Sequence, residues 1–312
     1  MERTWRIQFV VLSATWGSSF LFIKVLGRHW PALWIAFSRV GLGLLTLLAI
    51  MLVTRESLRF ERRTWMHLTV AALLFNAFPF TLYGYGEKHV PSIIAGLWNA
   101  TTPLWVLTGA LIAFPEEHST RTRMLGLGIG FIGVVTLLGP WRGLGHGALE
   151  GNLACAAAAL CYGAGFLYTR RHLAGQAYSG VALSAGQLLC ATVILGLLVP
   201  FAGAPSTGIG LDGVGSALAL GILGTGIGYV LNYAIVRAAG ATIASTVTYL
   251  IPVFATVLGV VVLGESLSWN EPLGAAILLF GIAVSQNRIS ASSAAGAGAP
   301  EPARAAAARS GS

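Results

Sequence analysis

Charge is what this chain has least of: Lys, Arg, Asp and Glu make up 10% of its 312 residues, against 55% hydrophobic. That leaves too little polar surface to cover a water-soluble domain of this length. Acidic groups are scarcer still, and all eleven fall at the ends of apolar stretches, in connections or in the tail. No carboxylate pair therefore lies inside an apolar stretch to run acid–base chemistry. Cysteine is rare, and Cys155, Cys161 and Cys190 all sit within apolar stretches, which argues against a disulfide framework and a metal-ligand spacing. The six histidines, His29, His67, His89, His118, His146 and His172, are too scattered for a metal site, and neither HExxH nor GxSxG occurs.

What is present is apolar length. Mean hydropathy is +0.76, and a window of about 20 residues, the length that spans a bilayer as a helix, finds candidate spans at roughly 6–26, 31–53, 67–86, 92–113, 123–139, 151–169, 180–201, 213–236, 241–263 and 271–287. The runs are too long and too unalternating for barrel strands, so the chain reads as an all-α membrane protein with ten transmembrane helices. The net charge of +8 does not call for nucleic acid. With the N-terminus in the cytoplasm, 14 of the 19 Lys and Arg fall on the inner side, as topology requires, and only Lys24, Arg28, Lys88 and Arg142 fall outside. Both termini are thus expected in the cytoplasm of a multi-pass protein of the cell (plasma or inner) membrane.

The span pattern occurs twice. Trp16, Gly17, Phe20 and Lys24 return 146 residues later as Tyr162, Gly163, Phe166 and Arg170, and Pro103 and Glu116 return 149 residues later as Pro252 and Glu265. Two fused copies of an odd number of spans lie in the membrane with opposite orientation. The expected organisation is a five-helix repeat over 1–145, a second over 146–287, inverted relative to the first around a central cavity, and a disordered cytoplasmic tail over 288–312 that lacks large apolar groups. The literal GxGxxG matches at Gly128 and Gly208 follow no strand and carry no nucleotide-binding reading.

Candidate substrate contacts follow from polar and aromatic residues at membrane depth. Asn76, Phe80 and Tyr83 map onto Thr225, Tyr229 and Asn232 at an offset of 149, each triplet with i, i+4, i+7 spacing. They either line a shared cavity or hydrogen-bond between packed helices. Arg39 is the only charged residue well inside a span, either meeting an anionic substrate group or tying helices through carbonyls. Trp16, Trp98 and Trp105 need partners for their indole N–H groups. Trp98, Thr101, Trp105 and Thr108 form one helical stripe, and Thr242, Ser245, Tyr249 and Pro252 repeat its spacing, lining the cavity or packing. Pro103 and Pro252 are expected to kink their helices. Glu87, Glu116 and Glu265 are the acidic groups left as proton carriers, with interfacial ion pairing as the plainer reading.

The tracts ATWGSSFLFIKV (14–25) and PALWIAFSRVGLG (31–43) resemble the opening of an EamA-type domain of the drug/metabolite transporter superfamily. TPLWVLTGALIAFPEE (102–117) and IPVFATVLGVVVLGES (251–266) are similar to the proline-to-glutamate signature that closes each of its two copies. The resemblance covers nearly all but the tail, although Pro115 stands where the second copy has Gly264, and Ala185 where the first has Arg39. It implies ten helices in two inverted repeats and movement of small metabolites, amino acids or drugs, often outward. The expected function is a secondary transporter working by alternating access, with a small-molecule substrate and the lipid bilayer as partners and no cofactor, metal or nucleic acid. An intramembrane enzyme and a non-transporting scaffold are the alternatives.

Overall fold

The computed structural model describes residues 4–113, 121–139, 141, 146–173, 178–239, 244 and 247–296, with the backbone alone for 123, 146 and 286–296. Among them there is no strand. The helices are α1 (Thr4–Gly27), α2 (Ala32–Thr54), α3 (Arg62–Gly86), α4 (Ser92–Asn99), α5 (Thr102–Ala113), α6 (Arg121–Leu138), α7 (His146–His172), α8 (Gly180–Leu198), α9 (Leu211–Ala239), α10 (Val247–Leu263) and α11 (Asn270–Gly296). Six of these, α1, α2, α3, α7, α8 and α9, carry apolar stretches long enough to cross a membrane, and α6, α10 and α11 hold shorter ones. Leu52, Val53, Phe201 and Val261 are among many large apolar side chains on the outside. A water-exposed surface disfavours so many; lipid welcomes them.

Local signals set the boundaries. Pro31 and Pro91 stand in extended conformation just before α2 and α4, where a missing N–H costs nothing. Arg55 closes α2 in the left-handed region and returns its N–H to the Met51 carbonyl. Ser179 caps α8 by accepting from the Ala182 N–H at 3.0 Å. Two differences from the sequence reading stand out. The fourth span is broken into α4 and α5, so Pro103 lies in the first turn of α5 rather than mid-helix; it offers no N–H to the Asn99 carbonyl one turn back. Pro252, in contrast, lies inside α10 as expected. The expected disordered tail begins instead as helix, because α11 continues to Gly296; the rest of the tail, 297–312, is outside the described residues, as are Glu116, Thr242 and Ser245.

Helices pack mainly across the chain's midpoint. α1 lies against α10 and α9, while α7 lies against α5 and α3; α2 pairs with α8 and α9, and α8 also meets α3. α6 pairs closely with α11. Glycines allow the tightest approaches: a Cβ on Gly17 would lie 2.5 Å from the Phe254 Cβ of α10, and one on Gly163 would lie 2.6 Å from the Trp105 Cβ of α5. Gly224 and Gly228 let α9 approach α1 closely: a Cβ on Gly224 would lie 3.1 Å from Ser19 Oγ, and one on Gly228 2.7 Å from Trp16 Nε1.

The two ends of the bundle differ. Arg55, Arg59, Arg62, Arg63, Arg170, Arg171 and Arg237 cluster where α2, α7 and α9 end and α3 and α8 begin, a basic end held by His67 Nδ1 and Tyr168 Oη at 2.7 Å and by Ser179 against Glu56. At the opposite end, Trp30 and Trp34 donate from Nε1 to the Ser206 and Gly203 carbonyls at 3.2 and 2.8 Å.

Candidate functional site

A cavity of about 410 Å³ lies where α1, α2, α3, α7, α8, α9 and α10 converge, with Asn99 and Thr102 at the break between α4 and α5 also on its wall. Its size suits a small organic molecule. One side is aromatic. Tyr83 meets Phe20 edge-on at 5.4 Å and lies 6.0 Å from Tyr162, and Phe75 continues the wall to Tyr162 at 6.2 Å and Phe166 at 5.0 Å. The lining runs from Ile23 and Tyr83 in the interior to Leu173 and Val236 near the basic end.

Arg39 is the cation of this wall, 8% exposed. Its Nε donates to Thr225 Oγ1 at 3.0 Å, and its guanidinium carbon sits 3.7 Å from the centre of the Phe80 ring. These two contacts fix the fork from opposite halves of the chain. No hydrogen bond to its terminal nitrogens is present among the described residues, so those donors are left for the cavity.

Both triplet-bearing helices leave α geometry at equivalent places. Leu73–Ala77 in α3 and Ala219–Ile227 in α9 are π-helical, and they contain Asn76 and Thr225. A π turn inserts a residue, re-aims side chains and changes the partners of nearby carbonyls. Here the Gly224 carbonyl accepts from Trp16 Nε1 at 3.0 Å, and the Leu220 carbonyl accepts from Thr225 Oγ1 at 3.1 Å. Asn76 is fully buried, donating from Nδ2 to Tyr229 Oη at 2.8 Å and accepting at Oδ1 from Gln187 Nε2 at 2.7 Å. Asn76 and Thr225 thus stand behind the wall, holding Tyr229, Gln187 and Arg39 in it.

Of the candidate substrate contacts read from sequence, Trp16, Arg39, Phe80, Tyr83, Tyr229 and Asn232 line the cavity. The fourth-span stripe does not. Trp98 donates to Asn152 Oδ1 of α7 at 2.8 Å, and Trp105 donates to the buried Thr101 Oγ1 at 3.1 Å. The stripe assumed one continuous helix, and the break at Ala100 and Thr101 turns Asn99 and Thr102 inward instead. Tyr249 packs against the core while its neighbours Thr248 and Ile251 line the cavity. Sequence reading missed Gln187, Phe75 and Tyr162 as wall residues. Tyr162 carried a signal, since it is the duplicate of Trp16.

Beyond Tyr83 the cavity is closed by a polar layer. Lys24 Nζ donates to the backbone carbonyls of Glu87 and Val90 at 2.5 and 2.8 Å. Glu265, from beyond α10, accepts at the start of α4 from the Ser92 N–H (2.7 Å), Ser92 Oγ (2.9 Å) and the Ile93 N–H (3.1 Å). Three donors and a helix N-terminus suit an ionised carboxylate. Glu87, in the connection between α3 and α4, has the opposite setting: it is 2% exposed, and neither carboxyl oxygen has a hydrogen-bond partner among the described residues. Burial pushes this carboxyl well above the usual carboxylate range, opposed by Lys24 and reinforced by Glu265. Among the described residues no group of His, Cys, Asp or Glu is placed to hold a metal ion.

A lipid-facing helical bundle around a polar and aromatic cavity built from both halves of the chain has the make-up of a membrane transport protein. The chain belongs to the EamA-like transporter family, which it matches over residues 3–139 and 149–286. It is 25% identical over 281 residues to the uncharacterized transporter YoaV of Bacillus subtilis, covering 89% of this chain and 95% of that one. It is 26% identical over 285 residues to an uncharacterized transporter of Archaeoglobus fulgidus, covering 89% and 98%. To the uncharacterized inner membrane transporter YedA of Escherichia coli K12 it is 27% identical over 278 residues, 86% of each chain. A protein of known crystal structure shares the fold at a TM-score of 0.64 with 22% identity, over 92% of this chain and 99% of that one. The names of the family and of these relatives point to transporters rather than to enzymes.

Proposed function

We propose that this protein is a secondary transporter of the inner or plasma membrane that moves small organic metabolites or drugs outward by alternating access. Its two halves, 1–145 and 146–287, act as inverted five-helix repeats that rock about the cavity. Reciprocal packing supports the pseudo-symmetry: α1 on α10 and α9 is matched by α7 on α5 and α3. The basic end faces the cytoplasm, with both termini, in keeping with the placement of Lys and Arg. In this conformation the cavity is then turned inward, since its lining reaches that end while the far end is sealed.

The observation that carries the reading is Arg39, held by Thr225 and Phe80 with its outer donors turned to an aromatic cavity. A buried cation with unspent donors favours a substrate that bears a carboxylate or phosphate group together with an apolar part. In reconstituted liposomes screened with amino acids, nucleosides, sugars and organic cations, anionic amphiphiles are expected to give the largest flux. Arg39→Ala is expected to lower that flux at least tenfold, and Arg39→Lys to recover part of it. Equal flux in native and Arg39→Ala vesicles would remove Arg39 from the site, and absence of flux for every solute would defeat the transporter reading.

A further inference from the structure

We propose that Glu87 is a proton-binding site that locks the far end of the cavity: protonated while this end is sealed, ionised when it opens. Two carboxyls in one layer have opposite settings. Glu265 has three donors and serves as the anion that clamps α4 to the second half. Glu87 is as buried as a core leucine yet has no donor on either oxygen. A carboxylate so placed is expensive, and the neutral acid is the form this packing accommodates.

The nearest cation sharpens the point. Lys24 reaches the backbone of Glu87 but spends its ammonium on the Glu87 and Val90 carbonyls rather than on the carboxyl group. The charged and titratable groups acting on Glu87 are Lys24 of α1, Arg39 of α2, Cys155 of α7 and Glu265, with Tyr83 one turn earlier on α3. Tyr83 Oη is also buried without a hydrogen-bond partner, so the two orphan groups lie in succession between cavity and seal. On the other face of α3, Tyr85 Oη donates to Glu150 and its ring lies tilted against His89, away from this layer.

Opening the seal hydrates Glu87. The O–H bond then breaks, the proton passes to water on that side, and the carboxylate becomes free to pair with Lys24 as that cation leaves its carbonyls. Closing reverses each step. The sealed state holds one more proton than the open state, so raising pH on that side favours opening, by up to about tenfold in the open-to-sealed ratio per pH unit for a single proton. Described in terms of transport, this rests on the function proposed above; the proton linkage itself is measurable without a substrate.

The test uses the full chain in lipid nanodiscs, with spin labels on the exposed positions 88 and 266, one from each half, and the distance between them followed against pH. Expected is a shift from a short to a longer distance as pH rises, lost in Glu87→Gln, which keeps the short distance, and regained at a different midpoint in Glu87→Asp. In the unlabelled native chain, infrared difference spectra are expected to show a protonated carboxyl band at neutral pH that fades over the same range. A distance indifferent to pH, an equal shift in Glu87→Gln, or the absence of that band would overturn the proposal. Absence of solute flux with an intact pH-linked shift would sink the transport reading and leave this one standing.

Discussion

Lys24 and Arg39 are both cations in a lipid-embedded bundle, and their neighbours give them different work. Lys24 spends two of its three N–H donors on carbonyls and ties α1 to the α3–α4 connection. Arg39 is anchored at one nitrogen and stacked on a ring, which fixes its direction and leaves the rest of its fork open. The same division separates Asn76 from Tyr229: the buried amide holds the phenol, and the phenol faces the cavity. Tyr229→Phe keeps the ring but strands the Asn76 amide, and is expected to lower stability by about 0.5–2 kcal/mol, read as a lower melting temperature in detergent. Asn232→Ala removes a wall group with no such support role, so it is expected to weaken substrate binding in equilibrium measurements with little change in melting.

At the level of helices, close contact and register decide more than apolar content does. A Cβ on Gly133 of α6 would lie 2.5 Å from the Leu278 nitrogen of α11, whereas one on Gly128 meets nothing within 4 Å. Gly133→Leu is therefore expected to pry α6 from α11 and lower the melting temperature markedly, while Gly128→Leu leaves it unchanged; equal melting of the two would contradict the packing. The apolar runs made most helices legible from sequence, because lipid demands a continuous run of about 20 such residues. Register was less legible. The stripe from Trp98 to Thr108 and the triplets beginning at Asn76 and Thr225 assumed regular α periodicity, which the break at Ala100–Thr101 and the two π segments interrupt. A π turn depends on what neighbouring helices offer its carbonyls, here Trp16 from 208 residues away. Local sequence holds no trace of such a partner. Duplication did, since it singled out Thr225 and Tyr229 by their first-half equivalents.

Across the whole molecule, the cavity wall draws on both halves, and its faces separate into wetted and packed sets. In a cysteine-free background, Asn232→Cys is expected to react with water-soluble thiol reagents and Trp98→Cys to stay silent; a silent Asn232→Cys would mean the cavity is closed to water. The interdigitation also bears on how the chain is made. Arg39 is bonded to Thr225, 186 residues further on, so the ribosome delivers an arginine to the bilayer long before the residue that will hold it exists. Until then the nascent α2 carries an unpaired cation at a cost of at least ~2.5 kcal/mol by insertion scales. A polypeptide truncated before Thr225 should therefore anchor α2 poorly and be cleared by membrane proteases, and supplying the missing portion as a separate fragment should rescue it.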